Sequence, residues 1–503
     1  MSHSSKIIYA LLLTSAMLCG CSQREDLEVI DSNESVPQEN ASVVFRIKTN
    51  TTTPSLITRS VEDSYSHEPG TETEYQVNNA RVYLYDAPTK LFVKSVLLKN
   101  LKLVSEDVPN NIVYETEHVL VPQGTYDIFV MANTDIQISK TNEADFLASI
   151  DSITYLKGRV YTEDISKGIV MTNRASDNTN VLIEKGSDDA DNVVNITLER
   201  VLARIDVARS NQTYALTDKN SQQYATITLD GYYIVNLPKY YYPYRHVAVL
   251  TSMNVPAWSL PENYSNVSDV NGYVIDPYFF KKTIDATSFK NGDSYYEYFL
   301  GNLAEGNNIS WTTFKPAASD GTPQYNTIYS PENCMFAPAQ KNGYSTGVVF
   351  RAKVDPYNSV YTLSNGSLVL LTDKTKYPEV IYYFNYKFYD TPEALAAAIG
   401  VGSISGVNLD LYKAKKFEKT NDGYRCYYNY WIRHLDNNKS NVMGVMEFAI
   451  VRNNLYKILV TNVSGLGYEE IPTDPDTPDE GETYLKVVLN VKPWIIRDLH
   501  IVL

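Results

Sequence analysis

The sequence predicts a mainly β protein built from two β-sandwiches in series. Short segments with alternating apolar and polar residues follow one another, and Gly, Pro, Asn and Asp separate them. The 41 tyrosines favour strands, and 503 residues are too many for one ordinary core. Together these features favour short strands stacked around more than one core.

The first residues have the features of an export signal. Lys6 precedes an apolar run at 7–18 that is too short to span a bilayer. The segment "LCGC" ends at Cys21 and resembles a bacterial lipobox, although Cys19 stands where a smaller residue is commoner. The sequence therefore predicts a lipoprotein signal peptide over 1–20 and a lipidated Cys21. An ordinary signal peptide cut nearby is the alternative.

After the signal region, the sequence predicts a tether, a series of strands and two helices. Residues 22–40 are polar and acidic, which is typical of a flexible tether. Alternation over 42–48 then predicts a half-buried strand, and a polar loop follows it. "NARVYLYD", "YDIFVMANT" and "NVVNITLERVLARIDVARS" are further strand patterns, the last long enough to pass from one domain into the next. Helices are predicted only in "TNEADFLASI" and "YDTPEALAAAIG", where Pro392 suits the first turn and Gly400 the end.

The second half contains two aromatic segments, "NLPKYYYPYRHVAV" and "GYRCYYNYWIRH". Their rings could stack on a glycan, or they could pack inside tyrosine-rich strands; we favour packing, because stacking requires exposure. Cys334 and Cys426 remain after the signal region. They form either one disulfide or two buried thiols, and two cysteines in so long a chain favour thiols.

Charge and motif content exclude several function classes. The chain has 59 acidic and 44 basic side chains and a net charge of −15, which disfavours nucleic acid and anionic membrane surfaces as partners. No nucleophile motif, phosphate-binding glycine loop or zinc-ligand spacing is found. We therefore expect neither an enzyme nor a protein with a cofactor or metal.

The C-terminal sequence "VKPWIIRDLHIVL" is apolar to its last residue. In an extended chain, residues two apart share a face, and Arg497 interrupts one such face. Residues 494–503 would span about 33 Å, which is enough to cross a sandwich. The pattern predicts a strand without an obvious place in its own core. One apolar face of this strand consists of Ile495, Leu499, Ile501 and Leu503.

Several segments resemble one family. "NNARVYLYD", "GTYDIFVMANT", "LERVLARIDV", "EFAIVRNNLYKILVTNVSGLG" and "VVLNVKPW" occur in the order seen in FimA-type fimbrillins, the type V pilus subunits of Bacteroidales. The resemblance covers 41–210 and 440–503. With it, we expect two tandem transthyretin-like, Greek-key β-sandwich domains with a few short helices. The expected division is 1–20 signal peptide, 21–59 lipidated tether and propeptide strand, 60–197 and 198–493 sandwiches, and 494–503 donor strand.

The resemblance implies a mechanism. Such pilins reach the outer membrane as lipoproteins, and an Arg-specific surface protease cuts behind the first strand; here the matching bond joins Arg59 and Ser60. The displaced strand would carry Val43, Phe45 and Ile47, and the tail of a neighbouring subunit would replace it. The implied product is an extracellular, adhesive fimbrium made of copies of this chain and other fimbrial subunits. A tip or accessory subunit and a surface glycan-binding lipoprotein are the alternatives.

Overall fold

A computed structural model of the protein describes most of the chain after residue 39. The described residues are 40–49, 68–69, 71–105, 112–152, 154–156, 159–161, 168–185, 192–247, 274–279, 292, 294–303, 309–334, 341–421, 423–434, 446–475 and 484–495. They belong to one compact unit, Asn40–Leu503.

The first half of the chain is made of short strands, as the alternating patterns predict. Their bounds are β1 Asn40–Thr49, β2 Glu68–Pro69, β3 Ala80–Asp86, β4 Phe92–Leu98, β5 Lys102–Ser105, β6 Ile112–Glu115, β7 Val119–Pro122, β8 Gly124–Ala132, β9 Asp151–Ser152, β10 Thr154–Leu156, β11 Arg159–Tyr161, β12 Met171–Thr172, β13 Val181–Ile183 and β14 Asn192–Arg200.

Ten of these strands form one sheet. Its order is β4-β3-β8-β12-β14-β1-β6-β5, with β13 added at β8 and β7 added at β1. The inward side chains of β1, β3, β8 and β14 form a single apolar core. Lys94 of β4 donates a hydrogen bond to the carbonyl of Leu120 on β7 at 3.0 Å, so the sheet curls until distant strands approach each other. This sheet holds the candidate functional site.

The second half begins with β15. Its strands are β15 Ala203–Arg209, β16 Thr213–Thr217, β17 Gln223–Val235, β18 Leu237–Pro238, β19 Tyr240–Tyr241, β20 His246–Val247, β21 Val274–Ile275, β22 Tyr296–Glu297, β23 Asn326–Ser330, β24 Gly347–Pro356, β25 Val360–Ser364, β26 Ser367–Leu370, β27 Val380–Phe384, β28 Lys387–Tyr389, β29 Lys415–Thr420, β30 Gly423–Trp431, β31 Asn454–Val463 and β32 Leu485–Ile495.

Two sheets made almost entirely of these strands share a core. One has the order β2-β32-β31-β15-β23, and the other the order β16-β17-β24-β30-β29-β27-β28-β25-β26. The core contains Ile205 and Ile458 from the first sheet and Ile227, Phe350 and Cys426 from the second. Sheets that face each other across a shared apolar layer form a sandwich, so the mainly β prediction is confirmed.

The described residues contain three α-helices: α1 Glu72–Tyr75, α2 Glu143–Leu147 and α3 Pro392–Ile399. Both helices expected from the sequence are present. The Thr391 side chain accepts a hydrogen bond from the amide of Ala394, and Pro392 occupies the first turn of α3. Gly400 ends α3 at φ 85°, a left-handed conformation that suits glycine.

The long strand pattern over 192–210 is two strands, not one. Strand β14 ends at Arg200 in the ten-stranded sheet, and β15 begins at Ala203 in the five-stranded sheet. Arg200 is buried and donates a hydrogen bond to the carbonyl of Glu74 in α1 at 2.7 Å. The chain thus passes from the first core to the second here. The domain boundary after residue 197 stays a prediction.

Candidate functional site: the groove of the first strand

Strand β1 lies inside the ten-stranded sheet, with neighbours on both sides. It runs parallel to β14, from Val43 opposite Asn192 to Thr49 opposite Leu198. On its other side it is antiparallel, first to β7 and then to β6. Strand β14 follows β1 by more than a hundred residues, far more than the dozen or so that a parallel crossover requires. Strands β6 and β7 also come after β1, so β1 lies within a sheet made by later parts of the chain.

The inward face of β1 fills the core. The side chains of Ala41, Val43, Phe45 and Ile47 are all 0% exposed. In the parallel pairing, Phe45 lies opposite Val194 and Ile47 opposite Ile196. The prediction of a half-buried strand at 42–48 is confirmed, and three of these four residues are those named from the sequence as the displaced strand. Removing β1 would leave an apolar groove along β14.

Polar groups anchor the outer face and backbone of β1. Between β6 and β7, Thr116 accepts the amide proton of Phe45 through its Oγ1 at 3.0 Å and donates its own amide to the Phe45 carbonyl at 3.1 Å. The Asn192 side chain donates to the Ser42 carbonyl at 2.9 Å. Arg46, on the exposed face, pairs with Glu115 at 2.7 Å. Sequence reasoning missed Thr116 and Asn192, because isolated polar residues next to strands carry no local signal for a distant partner.

The last described strand, β32, has a different environment. It pairs with β31 along nearly its whole length. On its other side, the described residues supply only Glu68 and Pro69, which lie opposite Trp494 and Ile495. Leu485 is buried, whereas Val488 is 42% exposed. Strand β32 is thus an edge strand over most of its length, and it includes the first two residues of the expected donor strand.

Several residues predicted for the site lie outside the described residues. Among them are the lipidation position Cys21, the cleavage positions Arg59 and Ser60, and three residues of the expected donor strand, Leu499, Ile501 and Leu503. The backbone of Ile495 ends β32. Their roles stay predictions.

The aromatic segments are packed inside the protein. Tyr241 and Tyr244 of the first segment are 3% and 1% exposed, and Tyr428 and Trp431 of the second are 2% and 8% exposed. Burial raises the pKa of the Tyr241 and Tyr428 hydroxyls well above the ordinary value. These rings cannot stack on a glycan in this conformation. The packed interpretation of both segments is confirmed.

Cys334 and Cys426 are two buried thiols and not a disulfide, as favoured from the sequence. In the part of the chain that the structure describes, no helix is both long and apolar enough to cross a membrane. Within those same ranges, no cluster of three or more His, Cys, Asp or Glu side chains is placed to hold a metal ion.

Comparisons with known proteins place the chain among fimbrial proteins. The model of the major fimbrial subunit protein FimA matches residues 58–200, and the C-terminal fimbrillin model of major fimbrial subunit proteins matches residues 421–499. No curated protein matches the chain. The first match covers the strands around the groove except β1, and the second covers β30, β31 and β32.

Three solved structures from two bacteria are similar to the chain. One, described as a cell adhesion protein of Parabacteroides distasonis, has 15% identity and a TM-score of 0.45, with 91% of this chain and 100% of that chain covered. A fimbrilin of Porphyromonas gingivalis has 15% identity and a TM-score of 0.41, with 92% of this chain and 99% of that chain covered. The tip fimbrial protein Mfa3 of the same bacterium has 12% identity and a TM-score of 0.34, with 89% of this chain and 99% of that chain covered.

Both family matches are to structural subunits of surface fimbriae, which assemble with other subunits and are not enzymes. The matched segments contain most of the groove and the last strands of the chain. Two separate segments of the chain, residues 58–200 and 421–499, are thus similar to FimA-type major fimbrial subunits.

Proposed function

We propose that the chain is a stalk subunit that polymerises by donor-strand exchange. In this proposal β1 is removed by cleavage after Arg59, and the C-terminal strand of a neighbouring subunit takes its place. The observation that carries the proposal is the position of β1. It is buried between β14 and the β6–β7 pair, yet it precedes the cleavage position, so one cut separates it from every strand that surrounds it.

Packing energies indicate how the exchange must proceed. Burial of Val43, Phe45 and Ile47 contributes about 1.5–3 kcal/mol for each side chain. The sum is a large fraction of the roughly 5–15 kcal/mol that stabilises a whole domain. Strand β1 therefore does not dissociate into water at a useful rate by itself. The incoming strand displaces it progressively, so that the groove is filled throughout.

The tail suits the groove in spacing and polarity. With Leu499, Ile501 and Leu503 at the positions of Val43, Phe45 and Ile47, every large inward side chain has an aliphatic replacement. Arg497 then falls at the fully buried position of Ala41, one residue from the exposed Asn40, so its long side chain would have to pass the end of the groove to reach solvent. Backbone hydrogen bonds of the strand would supply affinity, and the alternate side chains would fix the register.

Delivery and processing complete the proposal. The signal over 1–20 exports the chain, and lipid on Cys21 holds it at the outer membrane until the Arg-specific protease cuts. Attachment through several acyl chains is firm, whereas one chain would bind only marginally. After cleavage, the subunit leaves its lipid behind with β1 and joins the extracellular fimbrium. A Cys21→Ala variant should therefore leave unprocessed precursor and no fibres.

A stalk role fits better than the alternatives. A stalk subunit needs both a removable first strand and a free donor strand, and this sequence has Arg59 behind β1 and an apolar tail. A tip subunit needs no donor strand. A glycan-binding role would need exposed rings, and in the two aromatic segments most rings are buried, while Tyr240 and Tyr242 are half-buried.

Truncation of the tail tests the proposal. Because Trp494 and Ile495 belong to β32, the deletion should begin at residue 496. We expect the truncated chain to be secreted, to be cleaved and to melt at the temperature of the full-length monomer. It should give no ladder of detergent-resistant polymers on gels of unboiled samples. A ladder as strong as that of the full chain would contradict the proposal, and so would a large fall in monomer melting temperature.

A further inference from the structure

The turn between β3 and β4 is fastened to the start of α2. Lys90, at the end of that turn, donates its amide to the Asp86 carbonyl at 2.7 Å. Its own carbonyl accepts the amide of Glu143 at 2.9 Å. The amide of Phe92 donates to the Thr141 carbonyl at 2.8 Å. These backbone bonds hold Lys90 and Glu143 side by side.

Asp127 of β8 lies beneath this turn. It is paired with Tyr85 of β3, and its side chain is 0% exposed. Its Oδ1 accepts the amide of Asn180 at 2.8 Å, and its Oδ2 is in direct contact with Lys90 Nζ. Lys90 Nζ also lies 3.4 Å from Glu143 Oε2. A lysine amine and two carboxyl groups therefore converge on one point.

A buried aromatic cluster adjoins two of these groups, because Tyr85 is paired with Asp127 and Phe146 belongs to the same helix as Glu143. The ring of Tyr85 lies 5.2 Å from that of Phe146 and 5.8 Å from that of Phe129. Both phenylalanines are buried in the same apolar cluster as Tyr85. An ion pair whose carboxylate is fully buried carries a desolvation cost that its attraction to a half-exposed lysine offsets only in part. Conversion of that pair to an uncharged group removes this cost.

The two carboxyl groups differ in their affinity for a proton. Burial raises the pKa of Glu143, and its hydrogen bond with Asp127 raises it further. Burial also acts to raise the pKa of Asp127, but hydrogen bonds from Lys90 and the Asn180 amide lower it overall. Glu143 is thus the better proton carrier of the two, and it stands beside both the amine and the carboxyl group of Asp127.

We propose that Lys90 and Asp127 form an intramolecular amide cross-link, with Glu143 as the proton-transfer group. A proton first passes from the Lys90 ammonium to the Asp127 carboxylate, which gives a neutral amine and a carboxylic acid. The nitrogen lone pair then attacks Cγ of Asp127 and forms the N–C bond. Glu143 receives a proton from that nitrogen and gives one to the departing hydroxyl. The C–O bond breaks, one water molecule leaves, and no group is oxidised or reduced.

The exposure of the three groups suits this reaction. The Asp127 side chain is fully buried, whereas the Lys90 side chain is half exposed. Bulk water therefore has little access to the carboxyl carbon, but the released water molecule can escape along the lysine. The cross-link would join the β3–β4 turn to β8. None of the three residues lies in β1 or β32, so the cross-link is independent of the proposed strand exchange.

Peptide mass mapping of the protein isolated from the cell surface tests the cross-link. Trypsin cannot cut after an acylated Lys90, so residues 82–94 and 103–140 should appear as one joined species, lighter than their sum by one water molecule. Release of residues 82–90 and 91–94 as the main, unmodified products would overturn the proposal.

Two variants identify the roles of the groups. Lys90→Arg keeps the positive charge and the ion pair but cannot form the amide, so the joined species should be lost completely. Glu143→Gln keeps the shape and most contacts of α2, and it should reduce the joined species at least tenfold. Circular dichroism spectra equal to that of the unaltered protein would show that both variants fold. An unreduced yield in the folded Glu143→Gln variant would overturn the role of Glu143.

Discussion

The first and the last described strands differ in how the protein holds them. Strand β1 lies within its sheet, has neighbours on both sides and buries four apolar side chains completely. Strand β32 lies almost at the edge of its sheet and keeps Val488 42% exposed. The strand that we propose to be discarded is therefore the better packed of the two. Weak packing cannot explain its departure, so a chain cut and a replacement strand are both required.

The same comparison explains why the precursor would stay monomeric. While β1 is covalently attached, an incoming strand competes with a segment of the same molecule at a high effective concentration. After the cut, a displaced β1 can diffuse away, and displacement becomes irreversible. In the proposed mechanism the N-terminal segment would act as a folding partner before cleavage and as a competitor that cleavage removes.

The largest effect is expected from Arg59→Ala. Without the cut, β1 returns to its groove whenever it is partly displaced, so the variant should accumulate as a lipidated monomer and lose the ladder. Arg46→Ala is a suitable control, because Arg46 lies inside β1 and is not a reachable cleavage position. If Arg59→Ala gives an unchanged ladder, the cleavage site lies elsewhere or the first strand is not exchanged.

Charges placed on the two faces of the tail should have unequal effects. Ile501→Lys puts an ammonium at the fully buried position of Phe45, where desolvation should abolish the ladder. Val502→Lys puts the same group at the exposed position of Arg46, next to Glu115, and should leave polymerisation nearly intact. Ladder intensity on unboiled gels measures both. Equal losses from the two substitutions would exclude this register.

Phe45→Ala should lower the stability of the precursor but not that of the polymer. The cavity should lower the free energy of unfolding of the precursor by about 3–5 kcal/mol. Subunits in the fibre should be unaffected, because they no longer contain Phe45. Ile128→Ala is the control, because Ile128 belongs to the same core but stays in the mature subunit, and it should weaken both forms. Thermal melting of each form measures the difference, and a fibre destabilised by Phe45→Ala would contradict exchange.

Thr116→Val should give a smaller effect confined to the precursor. It leaves the buried Phe45 amide without its side-chain acceptor, which costs about 1–3 kcal/mol. Arg46→Ala, which removes an exposed ion pair from the same strand, should cost less than about 1 kcal/mol. Denaturant unfolding of the precursor measures the free energy of unfolding of both variants. A larger loss of stability from Arg46→Ala than from Thr116→Val would mean that surface charge, and not the buried backbone, holds β1.

Local patterns predicted several elements but not the partners with which those elements pair. Alternation identified β1, and the cap residues Thr391, Pro392 and Gly400 mark α3, because both signals lie within a few consecutive residues. The pairing of β1 with β14 joins residues about 150 positions apart, and no local pattern encodes it.

The elements that sequence reasoning missed have a common cause. Apolar Val201 and Leu202 continue the strand pattern, yet the chain leaves one sheet for another there. Thr116 interrupts an alternating segment without Gly or Pro, so the division into β6 and β7 had no turn signal. The contact of Lys90, Asp127 and Glu143 needs three separate elements to meet. Each feature depends on tertiary packing.

The central claim is that polymerised subunits have lost β1. N-terminal sequencing of subunits from purified surface fibres tests this most directly, combined with a search of the same digest for peptides from residues 40–49. We expect every polymerised subunit to begin at Ser60 and the fibre to contain no peptide from β1. Fibres whose subunits begin at Cys21, or that retain residues 40–49 in amounts equal to the rest of the chain, would contradict it.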